Sequence, residues 1–141
     1  MVFESPISYL PYLALLIAVC SAIRLAVFNL DETQSDSFKG LPTPANALFI
    51  TGLPFFHHPF FDFVYSPFIL AIITVIFSLL LVSRIELFGL KFKNFTWADN
   101  KIRFTFLLLS VLVLAVLQLA ALPVIIILYI ALSLGVRVFS K

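Results

Sequence analysis

The stretch FTFLLLSVLVLAVLQLAALPVIIILYIALSLGV, residues 104–136, contains no charged side chain. A membrane-spanning helix needs ~20 largely apolar residues, so this run is too long for one ordinary span. Pro123 lies inside it, and proline is suited to the start of a helix but not to its interior. The stretch therefore predicts two membrane helices, 104–122 and 123–139.

The composition of the whole chain agrees with a membrane location. Of 141 residues, 62% are hydrophobic and 11% are charged, and the mean hydropathy is +1.16. A soluble domain usually carries about 25% charged residues. The net charge of +2 is small, and the nine basic residues are not clustered like a nucleic-acid patch, which argues against a nucleic-acid partner. Cys20 is the single cysteine, which excludes an intramolecular disulfide, and we expect it to be a small core residue.

Three further segments are candidates for membrane helices. Residues 9–29 and 64–83 are long enough to span. Residues 44–56 are fewer, and Gly52 and Pro54 interrupt them, so they form either a short tilted span or a helix buried among its neighbours. The sequence thus predicts an all-α, polytopic helical bundle with about five transmembrane segments, forming a single membrane domain over residues 1–141.

The basic residues predict the orientation of this multi-pass protein. Five of them fall between the third and fourth segments: Arg84, Lys91, Lys93, Lys101 and Arg103. The positive-inside rule makes that link cytoplasmic. Alternation then places the C-terminus and the 31–43 link inside, and the 57–63 link outside.

Two features beside the 31–43 link suggest an anion site. Arg24 lies within the first predicted membrane helix, where ionisable residues are costly and usually functional. Alternatively, its side chain reaches the headgroups from near the helix end. Phe-Lys-Gly-Leu-Pro-Thr-Pro, residues 38–44, then forms a stiff re-entry beside Lys39, which is either the edge of a phosphate pocket or an ordinary tight turn.

Three short motifs together resemble the phosphatidylserine synthases, a branch of the CDP-alcohol phosphatidyltransferases. They are Arg-Leu-Ala-Val-Phe-Asn at 24–29, Phe-Lys-Gly-Leu-Pro-Thr-Pro-Ala at 38–45, and Val-Ser-Arg-Ile at 82–85 with Lys91 following. The resemblance implies an enzyme that transfers a phosphatidyl group from CDP-diacylglycerol to L-serine, giving phosphatidylserine and CMP. It further implies a homodimer in the lipid bilayer. The choice of serine as acceptor depends on the Phe-x-Gly-Leu-Pro-x-Pro element.

The resemblance also implies roles for individual residues. Arg24 and Lys39 would pair with the diphosphate or with the carboxylate of serine, and Asn29 would hydrogen-bond the serine. Gly40, Pro42 and Pro44 would shape the entrance to the pocket. Val27 stands where the family usually has a second basic residue, so one anion contact is missing.

The family's metal-binding signature, Asp-Gly-x-x-Ala-Arg followed by Gly-x-x-x-Asp-x-x-x-Asp, is absent from the sequence. The family implies a divalent metal, Mg or Mn, whose ligands and catalytic residues are thus not expected in this chain. His57 and His58 with Asp62 do not replace them, because adjacent histidines cannot easily converge on one ion. We therefore expect the C-terminal portion of such an enzyme, inactive by itself.

Two other functions remain open from the sequence. The chain could be a non-catalytic membrane subunit, or shortened paralogue, that binds lipid headgroups. It could also be a small anion transporter using Arg24. A transporter would be expected to show two similar halves, and the sequence contains no internal repeat.

Overall fold

The computed structural model describes residues 9–31, 37–56, 59–90 and 94–139, and this part of the chain is an all-α bundle. Its helices are α1 (Ala14–Leu30), α2 (Thr43–Gly52), α3 (Pro67–Val82), α4 (Trp97–Leu117) and α5 (Ala121–Phe139). Two short strands, β1 (Ser37–Lys39) and β2 (Glu86–Phe88), accompany them. Four short 3₁₀ segments, Leu10–Leu13, Leu53–Phe55, Pro59–Tyr65 and Gln118–Ala120, complete the described structure.

Among the described residues, two helical stretches are long and apolar enough to cross a membrane: Leu10–Leu30 and Trp97–Val138. Pro59–Tyr65 and α3, which meet at a bend of 70°, would make a third if the pair forms one span. The predicted segment at 9–29 is thus confirmed as a spanning candidate, and the 64–83 segment is a candidate together with its bent neighbour. The total of five spans stays a prediction.

The stretch Trp97–Val138 folds back on itself, because α4 and α5 pack as an antiparallel pair. The rings of Phe106 on α4 and Tyr129 on α5 lie 5.8 Å apart. The chain reverses at Gln118, whose φ is 51°. The predicted boundary at Pro123 is therefore wrong by a few residues. Pro123 lies in the first turn of α5, where its missing N–H costs no helical hydrogen bond.

The helix α2 is short and packs mainly on α5. Its 10 residues extend only about 15 Å, half of the hydrocarbon thickness. Asn46, Phe49 and Gly52 are buried. A Cβ at Gly52 would lie 2.6 Å from Cδ of Pro123, so glycine permits the close approach to α5. The other side of α2 is exposed, so the choice between a short tilted span and a buried helix for 44–56 stays a prediction.

The two strands form an antiparallel ribbon that the sequence did not predict. Lys39 pairs with Glu86 and Phe38 with Leu87. The ribbon joins the 31–43 link to the link after α3, which places both links at one end of the bundle. The second link is shorter than predicted, because α4 already begins at Trp97.

The core lies between α2, α3, α4, α5 and the ribbon. It consists of Leu41, Phe49, Leu53, Phe77, Leu87, Phe106, Ile126 and Tyr129. The helix α1 packs against α3 and buries Cys20 and Arg24. Burial of Cys20 confirms its prediction as a small core residue.

Candidate functional site

The buried cation Arg24 is the centre of the candidate site. It lies one turn after Cys20, on the side of α1 that packs against α3, and its side chain is 4% exposed. The guanidinium carbon lies 5.6 Å from the centre of the Phe28 ring, within the range of a cation–π interaction. The side chain is therefore packed against protein, and its role as an anion site stays a prediction.

The segment around Gly40 closes the end of α3. The amide of Gly40 donates to the carbonyl of Ile85 (2.8 Å), and the amide of Leu41 donates to the carbonyl of Leu80 (2.9 Å). The last carbonyls of a helix have no partner within it, so the second bond satisfies one of them. Leu41 is fully buried in the core. We call residues 40–41 the plug, because their amides close the end of α3 beside the site.

Beside Arg24, the side chains of Lys39 and Asp31 form an ion pair. Lys39 Nζ lies 2.9 Å from Asp31 Oδ2. Asp31 is the C-cap residue of α1, where a negative charge is unfavourable next to the helix carbonyls. Lys39 offsets that charge from the neighbouring strand. The two side chains are 42% and 21% exposed, so the pair contributes only ~0–1 kcal/mol to stability.

Arg24 and the ion pair border a cavity of about 570 Å³, which we call the ionic cavity. Three of its lining side chains are cations, Arg24, Lys39 and Arg84. Two are carboxylates, Asp31 and Glu86. The ribbon register places Glu86 directly opposite Lys39. The cavity can therefore attract an anion while also offering negative charge to a cationic group on the same ligand.

Arg24 also borders a second cavity, of about 300 Å³, which we call the proline cavity. Its other lining residues are Leu25, Phe28, Pro42, Thr43 and Pro44. Pro42 is the N-cap of α2, so this cavity lies at the positive end of that helix. An anion between Arg24 and the first turn of α2 would be favoured by both.

The structure brings together four of the six predicted site residues. Arg24 and Lys39 line the ionic cavity, while Arg24, Pro42 and Pro44 line the proline cavity. Gly40 has the positive φ, 81°, that the motif suggested, but its amide is used in the plug.

Asn29 is placed apart from the others. Five residues after Arg24, it lies about 140° around the helix from it and is exposed. Its role with serine stays a prediction.

The sequence analysis placed Arg84 in a basic link and in the Val-Ser-Arg-Ile motif but did not name it as a site residue. The signal was present in its position, directly after the end of α3 and within the Val-Ser-Arg-Ile motif. The carboxylate of Glu86 was missed because strands of three residues give too short a pattern to predict the pairing of β1 with β2. The carboxylate of Asp31 was missed because its contact with Lys39 depends on the fold.

The described residues do not fit a divalent metal. Within 9–31, 37–56, 59–90 and 94–139, no group of three or more His, Cys, Asp or Glu side chains could hold one. The carboxylate of Asp31 is engaged by Lys39. Asp62 is in the Pro59–Tyr65 segment, and His57 and His58 lie outside the described residues.

Comparison with known proteins supports the resemblance seen in the sequence. The chain is 32% identical over 81 residues to the CDP-diacylglycerol–serine O-phosphatidyltransferase of Bacillus subtilis (strain 168). The match covers 55% of this chain and 41% of that relative, so the chain matches less than half of the relative's length. No family model matches the chain, and no solved structure is significantly similar to it.

Proposed function

We propose that this chain forms the anion-binding wall of a membrane enzyme of phospholipid synthesis. The proposed reaction is transfer of a phosphatidyl group from CDP-diacylglycerol to L-serine, with release of CMP. The observation that carries the proposal is that Arg24, Lys39 and Arg84 line one cavity. The similarity to a phosphatidyltransferase supports the choice of reaction.

The chemistry of the cations suits a diphosphate. A guanidinium presents a fork of N–H donors that matches two phosphate oxygens, and such charge-assisted bonds are about twice as strong as neutral ones. Arg24 is buried, so its attraction for a phosphate is screened less by water. Lys39 and Arg84 are more exposed and can meet the charged headgroup as it enters from the aqueous side.

The mixed charge of the ionic cavity suits serine. Serine carries a carboxylate and an ammonium group, and the cavity offers both cations and carboxylates. In the proposed reaction the serine hydroxyl attacks the phosphorus of the phosphatidyl group and loses its proton to a base, and the bond from that phosphorus to the CMP oxygen breaks. The part of this chain that the structure describes would bind and orient the two substrates, so turnover requires further protein groups.

Binding of CDP-diacylglycerol to the Arg24→Gln variant tests the proposal. The full chain is reconstituted in phosphatidylcholine nanodiscs, and binding of cytidine-labelled CDP-diacylglycerol is titrated. A hydrogen bond to a charged group contributes ~1.5–3 kcal/mol, so we expect the variant to bind about ten to one hundred times more weakly. Arg137→Gln, the same change at an exposed position on α5, should leave the affinity unchanged.

Equal affinities in the wild type and the Arg24 variant would refute the proposal. A second measurement separates binding from catalysis. The chain is reconstituted with the part of the Bacillus relative that lies outside the match, and CMP release is followed with L-serine present. Serine-dependent CMP release supports the enzyme. Tight binding without release assigns the chain to the non-catalytic, lipid-binding class.

A further inference from the structure

A third cavity, of about 380 Å³, lies between α2, α4 and α5. Its lining is almost wholly apolar and includes Ala45 and Leu48 of α2, Phe106 of α4, and Ile125 and Ile126 of α5. We call it the apolar groove. Its volume falls in the range of cavities that bind small molecules, roughly 300–1,000 Å³. Unlike the two cavities that Arg24 borders, it has no charged residue in its lining.

The apolar groove adjoins the proline cavity, because Pro42 and Pro44 line both. Arg24 also lines the proline cavity. A ligand that filled both spaces would have an anionic group at one end and an apolar chain at the other. Phospholipids with a net negative charge have this form.

The groove also opens at the surface of the described bundle. Leu48 and Leu90, two of its lining residues, are 45% and 44% exposed. An acyl chain could enter between α2 and the α4–α5 pair without crossing the core.

One polar group in the groove is suited to the same ligand. The hydroxyl of Ser110 on α4 is buried and has no hydrogen-bond partner among the described residues. A buried hydroxyl without a partner is unfavourable, and the structure surrounds it with apolar side chains. The ester carbonyl of a phospholipid is an acceptor that an acyl chain in the groove would bring with it.

We infer that the apolar groove holds one acyl chain of an anionic phospholipid whose phosphate is bound at Arg24. This inference deepens the proposed function and rests on its assignment of Arg24 to phosphate binding. It adds the position of the lipid tail, which enters past α2 and not along the α1–α3 side. Pro42 and Pro44 then form the ridge over which headgroup and tail diverge.

Photolabelling with a lipid probe tests the inference. The full chain is placed in phosphatidylcholine nanodiscs containing phosphatidic acid with a diazirine midway along one acyl chain. After illumination, labelled residues are mapped by mass spectrometry. We expect several-fold more label at Leu48, Ser110 and Ile125 than from the same diazirine carried on phosphatidylcholine. The exposed residues Ile72 and Leu79 of α3 should be labelled equally by both lipids.

Two alanine positions provide matched variants. Ala45→Phe fills the groove and should reduce its labelling several-fold, whereas Ala131→Phe, at an exposed position on α5, should not. Equal labelling of the groove by both probes, or crosslinks from groove residues to a second copy of the chain, would overturn the inference. The wild-type comparison of the two lipids holds even if Ala45→Phe fails to fold.

The same experiment distinguishes the inference from the proposed function, because it needs neither L-serine nor CMP. If the preference for phosphatidic acid disappears in Arg24→Gln, headgroup and tail sites are coupled as inferred. If the preference persists in that variant, the coupling is wrong. If the preference is present in the wild type but CDP-diacylglycerol binding is absent, the proposed reaction fails and the acyl site stands.

Discussion

At the scale of single residues, Gly40 shows how the chain makes a close contact with the end of α3. Its φ of 81° is a conformation that side chains of L-residues rarely adopt. A Cβ at this position would lie 2.7 Å from the carbonyl oxygens of both Leu81 and Ser83. Backbone atoms at a helix end cannot move aside cheaply. Both requirements therefore select glycine for a structural reason that is independent of substrate.

Replacing Gly40 by alanine should destabilise the fold. The left-handed conformation alone costs an L-residue ~1–2 kcal/mol, and the two carbonyl contacts add to that cost. We expect the free energy of unfolding to fall by about 2 kcal/mol or more. The measurement is helical circular dichroism of the full chain in detergent during thermal unfolding.

Gly135→Ala is the matched control for that substitution. Nothing lies within 4 Å of a Cβ at Gly135, which is in the helix α5. Alanine favours a helix interior over glycine by ~0.5–1 kcal/mol, so this variant should be equal to the wild type or slightly more stable. If both variants unfold at the same temperature as the wild type, the plug does not stabilise the end of α3.

Residue types alone could indicate part of this site. A cation within an apolar helix identified Arg24, and the spacing of Gly40, Pro42 and Pro44 indicated a stiff turn. The partners of these residues could not be read from the sequence, because they come from elements far along the chain. The carbonyls that accept hydrogen bonds from the amides of Gly40 and Leu41 belong to residues 85 and 80.

At the scale of elements, the reversal between α4 and α5 depends on one strained residue. Gln118 has φ 51° and ψ −126°. These angles match the first central position of a type II′ turn, where glycine is preferred. The strain is tolerated because the flanking helices pack against each other through Phe106 and Tyr129.

Gln118→Gly should therefore stabilise the α4–α5 pair. Relief of an unfavourable backbone conformation contributes of order 1–3 kcal/mol. The greater freedom of glycine in the unfolded chain removes ~0.5–1 kcal/mol of that gain. We expect a net increase of about 1 kcal/mol in the free energy of unfolding, seen as a higher melting temperature.

Gln118→Ala keeps the Cβ and should show no such increase. A variant Gln118→Gly that melts at or below the temperature of Gln118→Ala would show that the turn geometry is not strained.

The sequence predicted helices where apolar runs were long and uninterrupted, and it failed where tertiary contacts decide the boundaries. The apolar pattern located α1, α3 and the α4–α5 stretch. It could not locate the reversal at Gln118, since glutamine carries no turn signal and Pro123 carries a strong one. The strands β1 and β2 have three residues each and exist only because they pair with each other.

At the scale of the whole molecule, the contacts define two opposite ends of the bundle. The β1–β2 ribbon and the ionic cavity lie at one end. At the other, the Leu53–Phe55 segment contacts Gln118–Ala120, and the hydroxyl of Tyr65 donates to the carbonyls of Leu53 (2.9 Å) and Phe56 (2.6 Å). The alternation of links across a membrane, which the basic residues predict, stays a prediction.

Cysteine labelling can test this arrangement in a membrane. In a Cys20→Ala background, single cysteines replace Lys39, Phe95 and Phe60, of which Phe95 and Phe60 are 85% and 77% exposed. We expect a membrane-impermeant maleimide to reach positions 39 and 95 only from the cytoplasmic side and position 60 only from outside. The ribbon end would then face the cytoplasm.

Labelling of positions 39 and 60 from the same side would mean that α2 and its neighbouring segment do not carry the chain across. Labelling of 39 and 95 from outside would preserve the two ends but reverse the predicted orientation.

The plug at the end of α3 also has a consequence for the order in which the protein is made. The amides of Gly40 and Leu41 precede α3 in the chain, so the ribosome completes them before the carbonyls that they bind. Chains are synthesised at ~5–20 residues per second, which places the cap in the nascent chain seconds before α3 needs it. The carbonyls at the end of α3 thus meet hydrogen-bond donors that are already present in the chain. Biosynthesis itself shortens the time during which that helix end is open to water or to other chains.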